Sequence, residues 1–280
     1  MSLKRNRESK WKKYIAKTGH KWYPIESITE YLMNCFGEVF GLEMSKSKLY
    51  IINGQLRFLS EYFLDDEREE LIHGAEIFGG YLGDMDFVEV VEEKKMSRDL
   101  FTMQFVSNSV KVGFGEDEGS KIMHELVKLM LFDALIGNND RHFYNWGVIR
   151  SLTESGIVRF SPVYDTARGL FWNVSEKELE KRILTNDSDK YISRYCANSR
   201  PKLGWEGISN INHFDMVGKI YENEFYATKD EIIRLYDESV LIQMEDLVTN
   251  EFRRCISKNR QEMIKKCLEY RYNTIKEIIK

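Results

Sequence analysis

Asp140, Asn145 and Asp165 fall within one stretch, residues 136–170, reading IGNNDRHFYNWGVIRSLTESGIVRFSPVYDTARGL. Their types and spacing suit chemistry on a nucleoside triphosphate and its magnesium. Phosphoryl transfer is catalysed mainly by positioning and electrostatics, so the protein must orient an attacking hydroxyl and accept its proton. Asp140 fits that role. Magnesium wants hard oxygen ligands and keeps several waters, so one carboxylate and one amide oxygen suffice; Asp165 and Asn145 supply them. The bland alternative is that Asp140 and Asn145 merely cap turns, which both residue types favour. It does not account for Asp165 arriving in the same kind of context shortly afterwards.

The elements around these residues look built to position them. Residues 122–136 are apolar on nearly every side (Ile122, Met123, Leu126, Val127, Leu129, Met130, Leu131, Phe132, Ala134, Leu135), and a helix apolar all round is buried. Gly137 with Asn138 is a C-terminal stop, so the polar cluster begins where a core helix ends. Residues 146–149 and 158–160 have strand character, with 153–156 as a polar turn between them. Asp165 then follows the second strand of a hairpin.

The five-residue step from Asp140 to Asn145 equals that of the kinase catalytic loop, where a base aspartate precedes a metal-binding asparagine. Alone, D-x-x-x-x-N is a weak pattern; G-N-N before it, W-G after it and S-P-V-Y-D one hairpin later make it specific. With GNNDRHFYNWGVI and FSPVYDTARGLF the chain resembles the HipA-like serine/threonine kinases, and among them the stand-alone CtkA-type members. The resemblance implies an α+β, two-lobed protein-kinase-like fold, with a small β-rich N-lobe over residues 1–64 and a helical C-lobe over 65–280. It also implies Asp140 as catalytic base, Asn145 and Asp165 as magnesium ligands, and ATP as phosphoryl donor to a protein serine or threonine. Members of the family are often toxins held by an antitoxin, or secreted effectors, so the resemblance also implies an antitoxin partner. Autophosphorylation at a serine near the nucleotide edge, such as Ser9, belongs to the same set of expectations.

At the other end, Lys4, Arg5, Arg7, Lys10, Lys12, Lys13, Lys17 and Lys21 face a single acid, Glu8. Most of these read as a solvated basic tail. Lys17 ends the strand-like run Tyr14-Ile15-Ala16-Lys17, which resembles the kinase strand whose lysine reaches the α- and β-phosphates; Lys13 and Lys21 are the fallback assignments. No Gly-rich loop precedes Lys17, a departure from the kinase pattern. A helix over 26–40 follows, with Ile28, Leu32, Cys35, Phe36, Val39 and Phe40 on one stripe. Glu30, off that stripe, is either the partner of Lys17 implied by the resemblance or the N3 residue of a capping box opened by Ser27. Residues 49–52 and 56–59 flank Asn53-Gly54, a strong hairpin turn. That hairpin exits into a hinge at residues 60–63, where Glu61, Tyr62 and Phe63 are the candidates for holding the adenine. His142 is counted with the nucleotide-contacting candidates, although a lone histidine reads more simply as a hydrogen-bonded structural residue.

The rest bounds the answer without sharpening it. Length (280 residues), 42% hydrophobic and 31% charged content describe an ordinary globular chain, and a net charge of −4 gives no global pull toward nucleic acid or membrane. Cys35, Cys196, Cys255 and Cys267 lack metal or disulfide spacing, which fits a reducing compartment and a cytoplasmic protein. There is no apolar run of transmembrane length and no secretory signal pattern at the basic beginning. Residues 77–83, IFGGYLG, lack the ending of a P-loop and read as a helix end and turn. Residues 113–118 read as an acidic surface loop. Residues 177–184, 229–247 and 250–279 read as helices with solvated charged faces, and Trp172, Tyr191, Trp205 and Phe214 as core aromatics. Arg168 could touch phosphate or an acidic substrate, or pair with a catalytic-loop carboxylate, and pairing is the simpler reading. The competing functions are a phosphoinositide-type lipid kinase, a nucleotide-binding pseudokinase or interaction module, and, on the basic beginning alone, a nucleic-acid binder.

Overall fold

The computed structural model describes residues 11–19 and 25–280. Ser9 as an acceptor and Lys21 as a fallback therefore fall outside the described residues. The chain first forms β1 (Tyr14–Thr18), α1 (Glu26–Val39), β2 (Ser47–Ile52) and β3 (Gln55–Glu61). β1, β3 and β2 make an antiparallel sheet in that order, with Lys17 opposite Phe58. Asn53 and Gly54 both adopt positive φ, the backbone of the two-residue turn that matches strand twist. Of the stripe expected of α1, Leu32, Phe36 and the following Phe40 are buried and Ile28, Cys35 and Val39 half-buried, while Met33, off that stripe, is fully buried.

β4 (Glu69–His73) leads into four helices: α2 (Gly74–Leu82), α3 (Met85–Glu93), α4 (Ser97–Leu100) and α5 (Met103–Phe114). IFGGYLG is thus a helix end, closed by Gly83 in the left-handed conformation. α6 (Glu116–Ile136) starts directly after Gly115. The expected acidic loop is therefore corrected: Glu116, Asp117 and Glu118 form the first turn of α6, where carboxylates complement the helix dipole. α6 is the core of the molecule, with Leu126, Val127, Leu129, Leu131, Phe132, Leu135 and Ile136 fully buried.

β5 (Gly147–Ser151) and β6 (Val158–Phe160) follow, and β4-β5-β6 form a second antiparallel sheet. α7 (Glu176–Leu184), α8 (Ser188–Ala197), α9 (His213–Asn223), α10 (Lys229–Leu235), α11 (Glu238–Asp246) and α12 (Lys258–Ile278) complete the chain. The helix expected over 229–247 is broken at Tyr236–Asp237, where Asp237 caps a new helix by accepting from the Ser239 N–H. The helix expected over 250–279 starts later: Leu247–Glu251 form a π-helical turn and Phe252–Arg254 a 3-10 turn, and Ser257 caps α12. Of the four expected core aromatics only Trp205 is buried; Trp172, Tyr191 and Phe214 are half-buried. Cys196 and Cys267, 71 residues apart, meet in the core as free thiols with their sulfurs 3.7 Å apart. Among the described residues no helix is long and apolar enough to cross a membrane.

The candidate active site

α6 ends in Gly137 at φ 68°, whose N–H donates to the Asp133 carbonyl. The Asn138 N–H donates to the same carbonyl at 3.0 Å. The Asp133 carboxylate, fully buried, accepts from Asn138 Nδ2 at 2.9 Å and from Arg141 Nε at 2.9 Å. Asp133 thus uses both its main chain and its side chain to stop the helix and shape the loop. Burial pushes its carboxyl above the ordinary range, and the Arg141 guanidinium and the Asn138 amide push back.

Inside the loop, Asn138 Oδ1 accepts from the Asp140 N–H at 3.2 Å. The Asp140 carbonyl accepts from the His142 N–H at 2.8 Å and from Asn145 Nδ2 at 2.8 Å. Asn145 is therefore held by its nitrogen, which leaves its amide oxygen as the free end. His142 Nδ1 accepts from the Tyr144 N–H at 3.2 Å, and burial lowers its pKa. It behaves as a neutral, hydrogen-bonded part of the loop.

Arg141 is the residue sequence reasoning passed over. Its guanidinium is almost wholly buried and reaches two loops at once. Beyond the pair with Asp133, it donates to the Asn145 carbonyl at 3.0 Å, to the Tyr164 carbonyl at 2.8 Å and to Thr166 Oγ1 at 2.8 Å. The segment carrying Asn145 and the one carrying Asp165 hang from this one cation. Backbone bonds add to it: Asn139 N–H to Arg168 O at 3.4 Å and Leu170 N–H to Ile136 O at 3.2 Å. One signal was available in the sequence. Asp133 is a lone acid inside LMLFDALI, and a carboxylate in an apolar run needs a buried partner.

Asp165 adopts φ 54°, a left-handed backbone that aspartate tolerates better than most residues. Its Oδ1 lies 2.8 Å from Lys17 Nζ, which also lies 2.7 Å from Glu30 Oε1. Of the two readings of Glu30, the ion pair is the one formed. Among the described residues α1 begins after Ile25 without a side-chain cap and Ser27 Oγ is buried without a partner, so Ser27 and Glu30 form no capping box. Burial raises the Glu30 pKa to about 7 against the pull of Lys17. Burial works against the Lys17 charge too, but Glu30 and Asp165 more than offset it and its pKa rises. The half-exposed Asp165 keeps the ammonium paired even where Glu30 takes up a proton.

Asp140 forms an ion pair with Arg168, Oδ2 to Nη1 3.1 Å, and the Arg168 guanidinium sits 5.0 Å from the Trp172 ring centroid. At the end of β3, the Glu61 N–H donates to Lys46 O at 2.7 Å and the Tyr62 N–H to Lys13 O at 2.9 Å. Those two donors are spent on neighbouring chain, so a backbone donor reading a base would come from Phe63 onward. The Phe63 ring packs 5.9 Å from that of Tyr164, the residue before Asp165. Lys13 pairs with Asp66 at 2.6 Å and Lys12 with Glu61 at 2.9 Å, whereas Lys17 is the lysine of β1 that meets Glu30 and Asp165.

The oxygen set suits magnesium. Among the described residues there is no cluster of three or more His, Cys, Asp or Glu of the kind an all-protein cage requires. An ion completed by phosphates and water needs only an aspartate and an amide oxygen. A cavity of ≈ 920 Å³ lies elsewhere, beside the first turn of α1, lined by Ile25, Ile28, Val174, Tyr191 and Arg260 among others.

No curated protein sequence matches the chain. Among solved structures it is similar to CtkA, a proinflammatory kinase of Helicobacter pylori, with a TM-score of 0.75 and 16% identity over 95% of this chain and 88% of that one. It is also similar to HipA of Shewanella oneidensis MR-1, solved with HipB and operator DNA, with a TM-score of 0.56 and 11% identity over 95% of this chain and 60% of that one. At such identities the likeness is one of fold, a two-lobed protein-kinase-like α+β architecture. The HipA-like C-terminal domain family matches residues 1–234, and the chain belongs to that family.

Proposed function

We propose that the protein is an ATP- and magnesium-dependent kinase that phosphorylates serine or threonine hydroxyls of a protein. The observation that carries this reading is the contact of Lys17 with both Glu30 and Asp165, the latter 148 residues away, beside a loop that fixes Asp140 and Asn145. In this reading Asp140 orients the acceptor hydroxyl and takes its proton as the oxygen attacks the γ-phosphorus. The bond from that phosphorus to the β–γ bridging oxygen breaks and ADP leaves. Lys17, fixed by Glu30, holds the α- and β-phosphates; Asn145 and Asp165 hold magnesium, which when bound neutralises charge on the phosphates. Arg168 steers the Asp140 carboxylate. Residues up to the hinge at 60–63 form the small lobe and residues from 65 onward the large one. An antitoxin partner is part of the proposal, supported by the HipB complex of the Shewanella neighbour.

The test is incubation with γ-labelled ATP, magnesium and a cell extract, beside Asp140→Asn. Label should pass to protein with the native chain and fall by at least about 100-fold in the variant, the scale of a lost general base, while ATP affinity is kept. Equal labelling by both would remove Asp140 from its role. Label appearing only in lipid would replace the reading with a lipid kinase.

A further inference from the structure

The turn between α3 and α5 carries a second charged site. Glu92, Lys95, Ser97, Arg98 and Lys202 line a cavity of ≈ 210 Å³. Three cations there face one carboxylate, in a chain whose net charge is −4. The walls are fixed. Arg98 Nε donates to the Pro201 carbonyl at 2.7 Å, and Gly204 lies so close to the Arg98 carbonyl that an added Cβ would stand 1.8 Å from it. Lys95 holds a left-handed backbone, with its N–H on the Glu92 carbonyl at 2.9 Å. The positive charge is poorly neutralised. Lys202 meets Glu92 only at 3.9 Å, and among the described residues no carboxylate lies within ion-pair distance of Lys95, Arg98 or Arg200. Burial and the nearby Arg200 depress the Arg98 pKa, and the neighbouring Asp99 only partly offsets them. The cavity lies on the same side as the loop carrying Asp140, near enough for the charges of Glu92 and Lys202 to act on His142.

We propose that Lys95, Arg98 and Lys202 form a phosphate-reading pocket that receives a residue already phosphorylated on the protein substrate, beside the acceptor hydroxyl. The inference rests on the kinase reading and adds a substrate class to it: proteins primed by an earlier phosphotransfer. A phosphorylated side chain brings about −1.5 to −2 charge and three acceptor oxygens, which matches the surplus of cations. A nucleic-acid backbone fits less well, because exposed Asp84, Asp86, Glu89 and Glu93 on and beside α3 would repel an extended polyanion.

The experiment compares degenerate peptide libraries with a fixed phosphoserine or a fixed serine, by fluorescence anisotropy against the full chain. Lys95→Gln/Lys202→Gln is the variant, with Arg98 left in place to keep its link to Pro201. The phosphoserine library should bind about ten-fold more tightly than the serine library, and the variant should erase that difference. Thermal melting and ATP affinity of the variant should stay at native values. Equal binding of the two libraries, or a preference that survives in the variant, would overturn the pocket. So would a single-stranded RNA that binds more tightly than the phosphopeptides and is released by the same variant. A phosphate preference with no phosphotransfer to any protein would sink the kinase reading and leave the pocket standing; phosphotransfer without the preference would do the reverse.

Discussion

Replacing Arg141 by methionine separates what this residue does for folding from what it does for the site. The side chain is fully buried and its ion pair with Asp133 is equally enclosed. Removing one partner of such a pair leaves an uncompensated buried charge and costs about 3–5 kcal/mol. At about 2 °C per kcal/mol for a chain of this size, the melting temperature should fall by roughly 6–10 °C. The second step is Asp133→Leu/Arg141→Met. With both charges gone the desolvation penalty goes too, and apolar replacements of buried pairs are often neutral. The orphaned Asn138 amide and the Asn145 and Tyr164 carbonyls each retain a cost of about 1 kcal/mol. Only part of the lost stability should therefore return. Phosphotransfer should not, because the Asn145 and Tyr164 carbonyls and Thr166 no longer share a donor, and loosely held ligands cost about ten-fold or more in rate. Calorimetry and labelled-ATP turnover on the same preparations give both quantities. Recovery of turnover together with stability would reduce Arg141 to a packing element, and an unchanged melt for the single variant would refute the energetic argument.

Other outcomes follow from the same geometry. Glu30 has a folded pKa of about 7 against its ordinary 4.5, so between those values the folded protein holds a proton that the unfolded chain has released. Stability of the protein without nucleotide should be greatest below pH 4.5 as far as this group is concerned and decline by about 3 kcal/mol up to pH 7. Glu30→Gln should flatten that slope in denaturant titrations, and an unaltered slope would show that Glu30 ionises freely. Gly204→Ala places a methyl group against the Arg98 carbonyl. It should destabilise by about 1–3 kcal/mol through overpacking and weaken phosphopeptide binding with it, read by melting and by anisotropy.

Much of the site was legible because local rules converge there. An all-round apolar helix, a glycine stop, a five-residue carboxylate-to-amide step and a hairpin each leave a mark within about fifteen consecutive residues. Glu30 was ambiguous for a physical reason, since Ser27 and Glu30 at capping-box spacing satisfy a local rule that a distant cation overrides. Arg141 and the phosphate-sized pocket were not legible. The first needs Tyr164 and Thr166 brought back by tertiary structure, and the second joins residues 92–98 to Lys202 across a hundred positions. Residues 65–119 fold into short helices whose apolar faces are too brief for periodicity to separate. The break at Tyr236 is set by burial of its ring and a hydroxyl bond to the Leu131 carbonyl at 2.7 Å, which no local propensity announces.

One backbone contact ties the segment carrying Asp165 to the loop before β2. Met44 and Val163 form a parallel bridge, with the Ser45 N–H on the Val163 carbonyl at 2.9 Å and the Val163 N–H on the Glu43 carbonyl at 2.7 Å. Asp165 comes two residues after this bridge and meets Lys17 of β1 at 2.8 Å. The same short segment is thus clamped to the strand system by its main chain and by its side chain, so displacing Val163 would carry the Lys17 partner with it.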